Sequence, residues 1–358
     1  MISAENLLNL ALARGASDIH VVAGSAPRLR VRGRLEEIAE IPAMGARDVE
    51  AFAEQILTKE QIAELRKKNE LDCAYAIPQL GRFRVNARRQ RGVWGLTMRV
   101  VPREVPGLKD LKMPAVIEQL CDRPRGLILV TGAMGSGKST TLAAMLDHIN
   151  RTRQGHIVTV EDPIEHVHPN RGCLVEQREV GEDTASFAAA LKHALRQDCN
   201  VLMLGEMRDV ETVEIALTAA ETGMLVLGTL HTNDAVQSVE RIVNVFPGER
   251  QGQARMQLSM ALEAVVCQQL IPRADGAGVA LACEVMIANP GIRNLIRKGE
   301  TAQIRNALVT GRREGGEREM FTMDQSLAEL YSQGAITREA ALARAVSRED
   351  LDRLLALR

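Results

Sequence analysis

The sequence predicts an α/β protein of two domains, in which a small mixed module precedes a nucleotide-binding domain with a parallel sheet. Three observations lead to this prediction. The chain has 358 residues, more than one ordinary domain needs. From about residue 115, short apolar runs alternate with amphipathic helical segments, which is typical of a parallel sheet covered by helices. The glycine-rich segment 132–139 directly follows the apolar run 127–130, and its spacing is that of a phosphate-binding loop.

Composition indicates a globular protein and disfavours nucleic acid as a partner. Hydrophobic residues make up 46% of the chain and charged residues 25%, so core-forming side chains are plentiful. Aromatic residues contribute only 2%, and the core must therefore be aliphatic and methionine-rich. The 45 basic and 46 acidic residues give a formal net charge of −1. Without a basic excess, we expect no nucleic-acid partner.

The cysteines and the N-terminal residues favour a reducing compartment. No two of the six cysteines form a C-x-x-C pair, so neither a zinc knuckle nor a redox pair is indicated, and we expect buried, reduced thiols. The N-terminal residues lack the basic-then-apolar pattern of a signal peptide. No apolar run approaches the roughly 20 residues that a membrane span needs. We therefore expect a cytoplasmic protein, which could still dock on a membrane complex.

Residues 1–101 are predicted to form a small α+β module. A helix is expected to begin after Ser3, a good N-cap residue, and to end at Gly15. In the segment 82–88, apolar residues alternate with polar ones that include three arginines, which predicts a strand with one polar face. Prolines and a glycine at 102–114 indicate an interdomain linker. The other predicted elements of the module are strands at 18–22, 28–32 and 96–100 and a helical region at 46–69.

Residues 115–272 are predicted to form the core of the nucleotide-binding domain, and residues 273–358 a mainly helical C-terminal region. A charged, glycine-rich stretch at 311–316 is expected to interrupt that region. The predicted strands of the core are 126–131, 156–160, 201–205 and 224–230, and its predicted helices include 139–152, 184–197 and 209–222.

The loop at 132–139 has the residues that phosphate binding requires. Its glycines let successive backbone N–H groups point inward at phosphate oxygens, and the helix that follows adds the positive end of its dipole. Lys138 is placed to reach the β- and γ-phosphates, and the Ser139 hydroxyl to bind Mg²⁺. The sequence therefore predicts ATP and Mg²⁺ as cofactors. The predicted nucleotide contacts are Gly132, Ala133, Met134, Gly135, Ser136, Gly137, Lys138, Ser139 and Thr140.

Three further strand ends carry polar residues at the carboxyl edge, where parallel-sheet ATPases have their active sites. Glu161 follows the run 156–160 and could deprotonate or orient the water that attacks the γ-phosphate. Glu206 follows the run 201–205, where a carboxylate holds Mg²⁺ directly or through water. The usual Asp is absent and the acid stands one residue further out, so it could contact either the metal or the water. His231 follows the run 225–230 and could couple the presence of the γ-phosphate to a neighbouring element through one hydrogen bond.

Together these motifs resemble those of the secretion-type AAA-like ATPases, and within that family those of the type IV pilus retraction motors. The resemblance covers nearly the whole chain in order. At two positions the chain departs from the family pattern: Ala133-Met134 replaces the commoner Pro-Thr of the loop, and Gly291 stands where the family has Ala. We expect both motifs to function. The supporting segments are the Walker A loop 132–139, the Asp box 159–165, the Walker B segment 204–209, the segment 219–223, the His box 228–233 and the segment 290–297.

The resemblance implies a PAS-like N-terminal domain and a RecA-like P-loop NTPase domain, assembled as a homohexamer. Such a hexamer hydrolyses ATP at the cytoplasmic face of the inner membrane and powers pilus retraction, and thus twitching motility, through nucleotide-driven domain closure. The implied partners are an inner-membrane platform protein and a paralogous pilus ATPase. Pilus extension motors carry a four-cysteine zinc motif, so the lack of C-x-x-C pairs favours retraction.

The family also places arginines from the last two strands of its N-terminal domain against the nucleotide. Arg84 and Arg99 occupy those positions, which implies that they stabilise charge on the γ-phosphate, including that of a neighbouring subunit. Arginine fingers of this kind raise the rate by about 10³- to 10⁵-fold. The alternative for both residues is a solvated strand face.

Three other functions stay open at this point. An accessory retraction ATPase that depends on a main motor shares these motifs, and the segments 172–180 and 268–272 have an accessory-like character. A non-hydrolysing, ATP-gated switch would bind nucleotide without turnover, although the presence of both Glu161 and Glu206 argues against it. A nucleic-acid translocase would need a basic channel, which the near-zero net charge disfavours.

Overall fold

The computed structural model describes residues 3–78, 80–102, 104–310 and 319–356. The chain divides into two compact units, Met1–Glu104 with Glu165–Val167 and Val105–Ile164 with His168–Arg358. The predicted α/β fold class is confirmed, while the predicted boundaries of the linker and of the C-terminal region stay predictions. The break predicted at 311–316 lies outside the described residues.

The described residues of the first unit form one antiparallel sheet with three helices. Ser3 accepts a hydrogen bond from the Asn6 N–H and caps the first helix, as predicted. The region predicted as one helix at 46–69 is two helices, because Thr58 and Gln61 form a capping box that starts the second. The elements are α1 (Ala4–Ala13), β1 (Ala16–Val22), β2 (Arg28–Val31), β3 (Arg34–Glu37), α2 (Ala46–Ile56), α3 (Lys59–Lys68), β4 (Glu70–Ile77), β5 (Gly81–Gln90) and β6 (Val93–Val101). The strand order is β3-β2-β1-β6-β5-β4.

The alternation along β5 separates the core of this unit from a polar face. Phe83, Val85 and Ala87 are buried in one apolar cluster with Phe52 of α2. Successive side chains of a strand point to opposite faces of the sheet. Arg84 therefore lies on the face that is turned away from this core.

The second unit is built on a larger sheet covered by helices. Its described elements are α4 (Val116–Cys121), β7 (Gly126–Thr131), α5 (Lys138–Thr152), β8 (Gly155–Glu161), β9 (Cys173–Glu179), α6 (Phe187–Ala194), β10 (Val201–Leu204), α7 (Val210–Glu221), β11 (Leu225–Leu230), α8 (Ala235–Asn244), α9 (Gln251–Ala261), β12 (Leu262–Pro272), β13 (Val279–Ile287), α10 (Pro290–Lys298), α11 (Ile304–Thr310), α12 (Met323–Ser332), α13 (Arg338–Arg344) and α14 (Arg348–Ala356).

The strands of this unit lie in the order β13-β12-β7-β11-β10-β8-β9. They are parallel except for β13, which pairs antiparallel with β12. Alternate residues of β7 enter different cores: Leu127 packs with α7, α8 and α9, whereas Ile128 packs with α4 and α5. A fully buried aliphatic side chain contributes about 1.5–3 kcal/mol of transfer free energy. The sheet is thus held between two helical layers.

Three strands of the second unit, β9, β12 and β13, were not predicted. β9 is a charged edge strand whose burial is incomplete, so it lacks the apolar run by which the neighbouring strands were found. β13 lies in the region predicted to be mainly helical, and its nine residues, almost all apolar, were missed because a short apolar run does not by itself distinguish strand from helix. The helix predicted at 184–197 is the shorter α6, which Ser186 caps.

All six cysteines are buried thiols, as predicted. Over the described ranges, no helix combines the length and the apolar character needed to cross a bilayer.

Candidate nucleotide-binding site

Four neighbouring parallel strands of the second unit end at one edge of the sheet, and a predicted site residue or loop follows each. In sheet order the strands are β7, β11, β10 and β8. The loop 132–137 follows β7, His231 follows β11, Glu206 lies two residues beyond β10, and Glu161 is the last residue of β8. Adjacent strands are about 4.8 Å apart. These four segments therefore lie side by side in a row along one edge of the sheet.

The phosphate loop is shaped by glycine where it runs against β12. At Gly132, φ is +144°, and a Cβ there would lie 2.4 Å from the carbonyl oxygen of Gln268, so no other residue fits this backbone. The loop ends at Gly137, and α5 begins at Lys138. The N–H groups of the first turn of α5, at the positive end of the helix dipole, therefore border the loop. Met134 is 91% exposed, so the departure from the family pattern at this position does not change the packing of the core.

The ammonium group of Lys138 lies inside the loop. Its Nζ donates to the carbonyl oxygens of Gly132 at 2.8 Å and Ala133 at 2.9 Å. The residue is buried, whereas Ser139, next to it in the first turn of α5, is exposed. The cation is thus held where a phosphate loop presents its lysine to the β- and γ-phosphates.

His231 connects the loop with the acid of the Walker B segment. Its Nδ1 lies 3.4 Å from Lys138 Nζ, and its Nε2 lies 3.4 Å from Glu206 Oε2. An ammonium group only donates and a carboxylate only accepts. The neutral tautomer with an unprotonated Nδ1 and a protonated Nε2 therefore satisfies both neighbours, and three predicted site residues form one polar chain.

Glu206 is an ionised acid at the centre of the row. Burial by itself would raise its pKa, but the hydrogen bonds from Arg208 and His231, with the charge of Arg208, outweigh burial and hold the pKa below its usual value. Arg208 Nη2 lies 2.5 Å from Glu206 Oε2. An anionic oxygen at this place suits a hard divalent cation.

The donor set fits Mg²⁺ bound jointly with a nucleotide. In the described parts of the chain, no group of three or more His, Cys, Asp or Glu residues is arranged to hold a metal ion. Mg²⁺ typically takes one or two protein oxygens together with phosphate oxygens and water. The Ser139 hydroxyl and the Glu206 carboxylate are donors of that kind, and we assign them as the Mg²⁺ ligands in the proposal below.

Glu161 is fixed by two donors that the sequence analysis did not identify. Thr159 Oγ1 donates to Glu161 Oε1 at 2.7 Å, and Gln177 Nε2 donates to the same oxygen at 3.0 Å. The side chain is 6% exposed, and a Cβ at Gly205 would lie 3.3 Å from Glu161 Cα, so glycine lets the end of β10 approach. The position of the carboxylate is therefore tightly defined.

Thr159 could have been found from the sequence, because residues i and i+2 of a strand share a face. Gln177 could not. It lies on β9, opposite Thr159 in the parallel register of β8 and β9, and only the pairing of the two strands brings it to Glu161.

The two predicted arginines face each other in the first unit. Arg84 on β5 and Arg99 on β6 are directly opposite in the antiparallel register. Like charges in such a pair repel, and each guanidinium has an acidic partner. Arg84 Nη1 lies 3.3 Å from Glu165 Oε1, and Arg99 Nε lies 2.8 Å from Asp18 Oδ1.

Asp18 is the next residue across this sheet, because it stands opposite Arg99 in the register of β1 and β6. Burial would raise the pKa of Asp18, but hydrogen bonds from Arg99 and Ser17 and the charge of Arg99 hold it below its usual value. Each arginine of the pair thus has a carboxylate partner in the first unit.

A cavity of about 620 Å³ in the second unit borders the phosphate loop. It begins at Gly137 and Thr140 and continues along β12 and β13 to α12. Its volume is within the usual range for small-molecule sites. Apolar Leu270, Leu281 and Phe321 line it together with polar groups such as Gln325 and Arg273.

Comparisons with known families and proteins identify relatives of this chain. A family model described as type II/IV secretion system protein matches residues 2–354. The chain is 46% identical over 335 residues to the type IV pilus retraction ATPase PilT of Pseudomonas aeruginosa, covering 94% of this chain and 96% of that protein. It is 42% identical over 353 residues to the type IV pilus ATPase PilU of the same organism, covering 99% and 91%.

Among solved structures, a crystal structure of the pilus retraction motor PilT with bound ADP is similar over 99% of this chain and 100% of that one. The TM-score is 0.91 and the sequence identity 43%. The chain thus belongs to the type II/IV secretion system protein family, whose members here include pilus ATPases.

Proposed function

We propose that this protein is an ATP-hydrolysing motor that powers retraction of type IV pili. The polar chain from Lys138 through His231 to Glu206, in the same row as Glu161, is the observation that carries the proposal. The similarity to PilT supports the choice of retraction. The motor works as a homohexamer at the cytoplasmic face of the inner membrane and acts on a platform protein of the pilus base.

From the order of the strands we infer different roles for the two glutamates. Glu206 belongs to the polar chain that starts at Lys138, so it lies beside the phosphates and holds Mg²⁺ with Ser139. Glu161 follows the next strand outward and is oriented by Thr159 and Gln177, so it meets the attacking water. Mg²⁺, when bound, neutralises charge on the β- and γ-phosphates.

Hydrolysis then proceeds by in-line displacement. The water oxygen bonds to the γ-phosphorus as the bond from that phosphorus to the β–γ bridging oxygen breaks. The carboxylate of Glu161 accepts a proton from the water. Lys138 and the loop N–H groups bind the phosphate oxygens, and His231 transmits the loss of the γ-phosphate to Glu206. The nucleoside lies in the cavity beside Thr140.

The direct test is steady-state ATP hydrolysis by the purified protein, with its assembly state followed by light scattering. We expect Mg²⁺-dependent turnover by a hexamer, and restored twitching when the gene is expressed in a host that lacks its own retraction ATPase. Tight ATP binding without turnover would instead indicate the non-hydrolysing switch.

The positioning role of Gln177 is testable by Gln177→Met, which removes one donor to Glu161 at similar volume. A misplaced carboxylate lowers turnover, and we expect kcat to fall by about 10- to 100-fold with ATP affinity unchanged. Gln197→Met, a change at an exposed glutamine, is the matched control. Wild-type kcat in Gln177→Met would show that Thr159 alone orients Glu161.

The accessory retraction ATPase is a second candidate, because the relative PilU matches 99% of this chain. The two functions differ in whether the protein can drive retraction without another motor. In a host without any retraction ATPase, a main motor restores twitching by itself, whereas an accessory protein restores it only when a main motor is supplied as well.

A further inference from the structure

Gln268 on β12 lies directly against the phosphate loop but belongs to none of its motifs. The parallel register places Cys267 opposite Thr131, the last residue of β7 before the loop. Gln268 therefore comes level with Gly132. The next residue along β12, Gln269, points to the other face of the strand.

Contacts from Gln268 reach both ends of the loop. Its carbonyl oxygen would lie 2.4 Å from a Cβ at Gly132, and its Nε2 would lie 3.4 Å from a Cβ at Gly137. Between them, Nε2 donates a buried hydrogen bond to the carbonyl oxygen of Ser136 at 2.9 Å. Lys138 bonds other carbonyls of the loop from inside, whereas Gln268 holds it from the neighbouring strand.

Only a hydrogen-bond donor can face the carbonyl oxygen of Ser136 from this position on β12. Gln268 is 1% exposed, and its Oε1 is buried without a hydrogen-bond partner. An unsatisfied buried acceptor costs free energy, yet the amide keeps this orientation, because the reverse would set Oε1 against the carbonyl of Ser136. Gln268 also forms part of the wall of the cavity beside the loop, but its amide nitrogen is already bonded to Ser136.

We infer that Gln268 is a positioning residue that holds the phosphate loop in its binding conformation before nucleotide arrives. A loop that is preorganised loses less entropy on binding. When the binding-competent conformation is populated only in part, the apparent Kd rises by the inverse of that fraction. Once nucleotide is bound the loop is formed, so the chemical step is unaffected. The inference rests on the proposed assignment of this loop as the nucleotide site.

The experiment compares Gln268→Met and Gln268→Glu with the wild type. Gln268→Met removes the donor, and we expect the Kd for ADP and the KM for ATP to rise about tenfold while kcat stays within about twofold. Gln268→Glu sets a carboxylate against the Ser136 carbonyl and near the phosphates, and we expect a larger rise in Kd. Gln269→Met and Gln269→Glu, with the same chemistry on the opposite face of β12, are the matched controls.

The possible results distinguish a failure of the proposed function from a failure of the inference about Gln268. If the wild type binds no ADP in titration calorimetry, the proposed function fails. If the wild type binds and both Gln268 variants bind equally well, the inference alone fails. A fall in kcat at unchanged Kd would also overturn it, because Gln268 would then act on the chemical step. Thermal unfolding without nucleotide checks the fold, and Gln268→Asn, which keeps the amide but shortens its reach, replaces Gln268→Met if that variant does not fold.

Discussion

Glu161→Gln is expected to lower kcat for ATP hydrolysis by about 10²- to 10⁴-fold, the usual contribution of a general base. The amide cannot take the proton of the attacking water. Its carbonyl oxygen still accepts hydrogen bonds from Thr159 and Gln177, so the strand end keeps its structure. ATP binding should therefore survive, and the variant should accumulate in the ATP-bound state.

Single-turnover hydrolysis and ATP titration separate these effects, with assembly followed by light scattering. Glu249→Gln, at an exposed glutamate, is the control for charge removal. Glu206→Gln gives the contrast, because loss of a Mg²⁺ ligand should weaken Mg²⁺-dependent ATP binding. If Glu161→Gln hydrolyses ATP at the wild-type rate while Glu206→Gln binds normally but does not turn over, the two roles are the reverse of our assignment.

Arg84→Ala is expected to lower kcat by about 10³- to 10⁵-fold if Arg84 acts as an arginine finger. A guanidinium stabilises the charge that develops on the γ-phosphate, and Arg84→Lys should restore only part of the rate because it lacks the planar fork. Arg99, directly opposite in the sheet, is the second candidate. Its partner Asp18 is buried, so replacing Arg99 also leaves a buried carboxylate without its partner.

Mixed hexamers test whether Arg84 serves a neighbouring subunit. Arg84→Ala and Lys138→Ala subunits should both be inactive alone, and co-assembly should recover hydrolysis if a site combines residues of two subunits. No recovery at proven co-assembly would count against catalysis across subunits. Arg89→Ala, at an exposed arginine of the same strand, should retain activity, which excludes a general effect of removing positive charge from β5.

The sequence predicted the parts of the site that are local in the chain. The phosphate loop has a fixed spacing, and Glu161, Glu206 and His231 each follow an apolar run that marks a strand, so the four could be placed at one edge of a sheet. Which of the two glutamates stands nearer the phosphates depends on strand order, and strand order follows from tertiary pairing. That is why the sequence left the role of Glu206 open, and why our proposal for this residue rests on the fold.

Supporting residues were missed for a related reason. Gln177 and Gln268 act through register, one against Glu161 and the other against Ser136, and each lies on a strand that the sequence analysis did not identify. β9 is charged because it is an edge strand. β12 is apolar enough to be a strand, but it follows α9 without a break, so no turn residue marked its beginning.

The order of strands in the second sheet has a consequence for how the protein is made. β11 lies between β7 and β10, although it is the last of these three to be synthesised. Contacts between segments that are distant in sequence form slowly, since the loop between them must first close. A nascent chain that ends before Leu225 therefore has a phosphate-loop motif but no central strand to join it to Glu206. Nucleotide binding should appear only after His231 has left the ribosome, and we expect shorter fragments not to bind ATP.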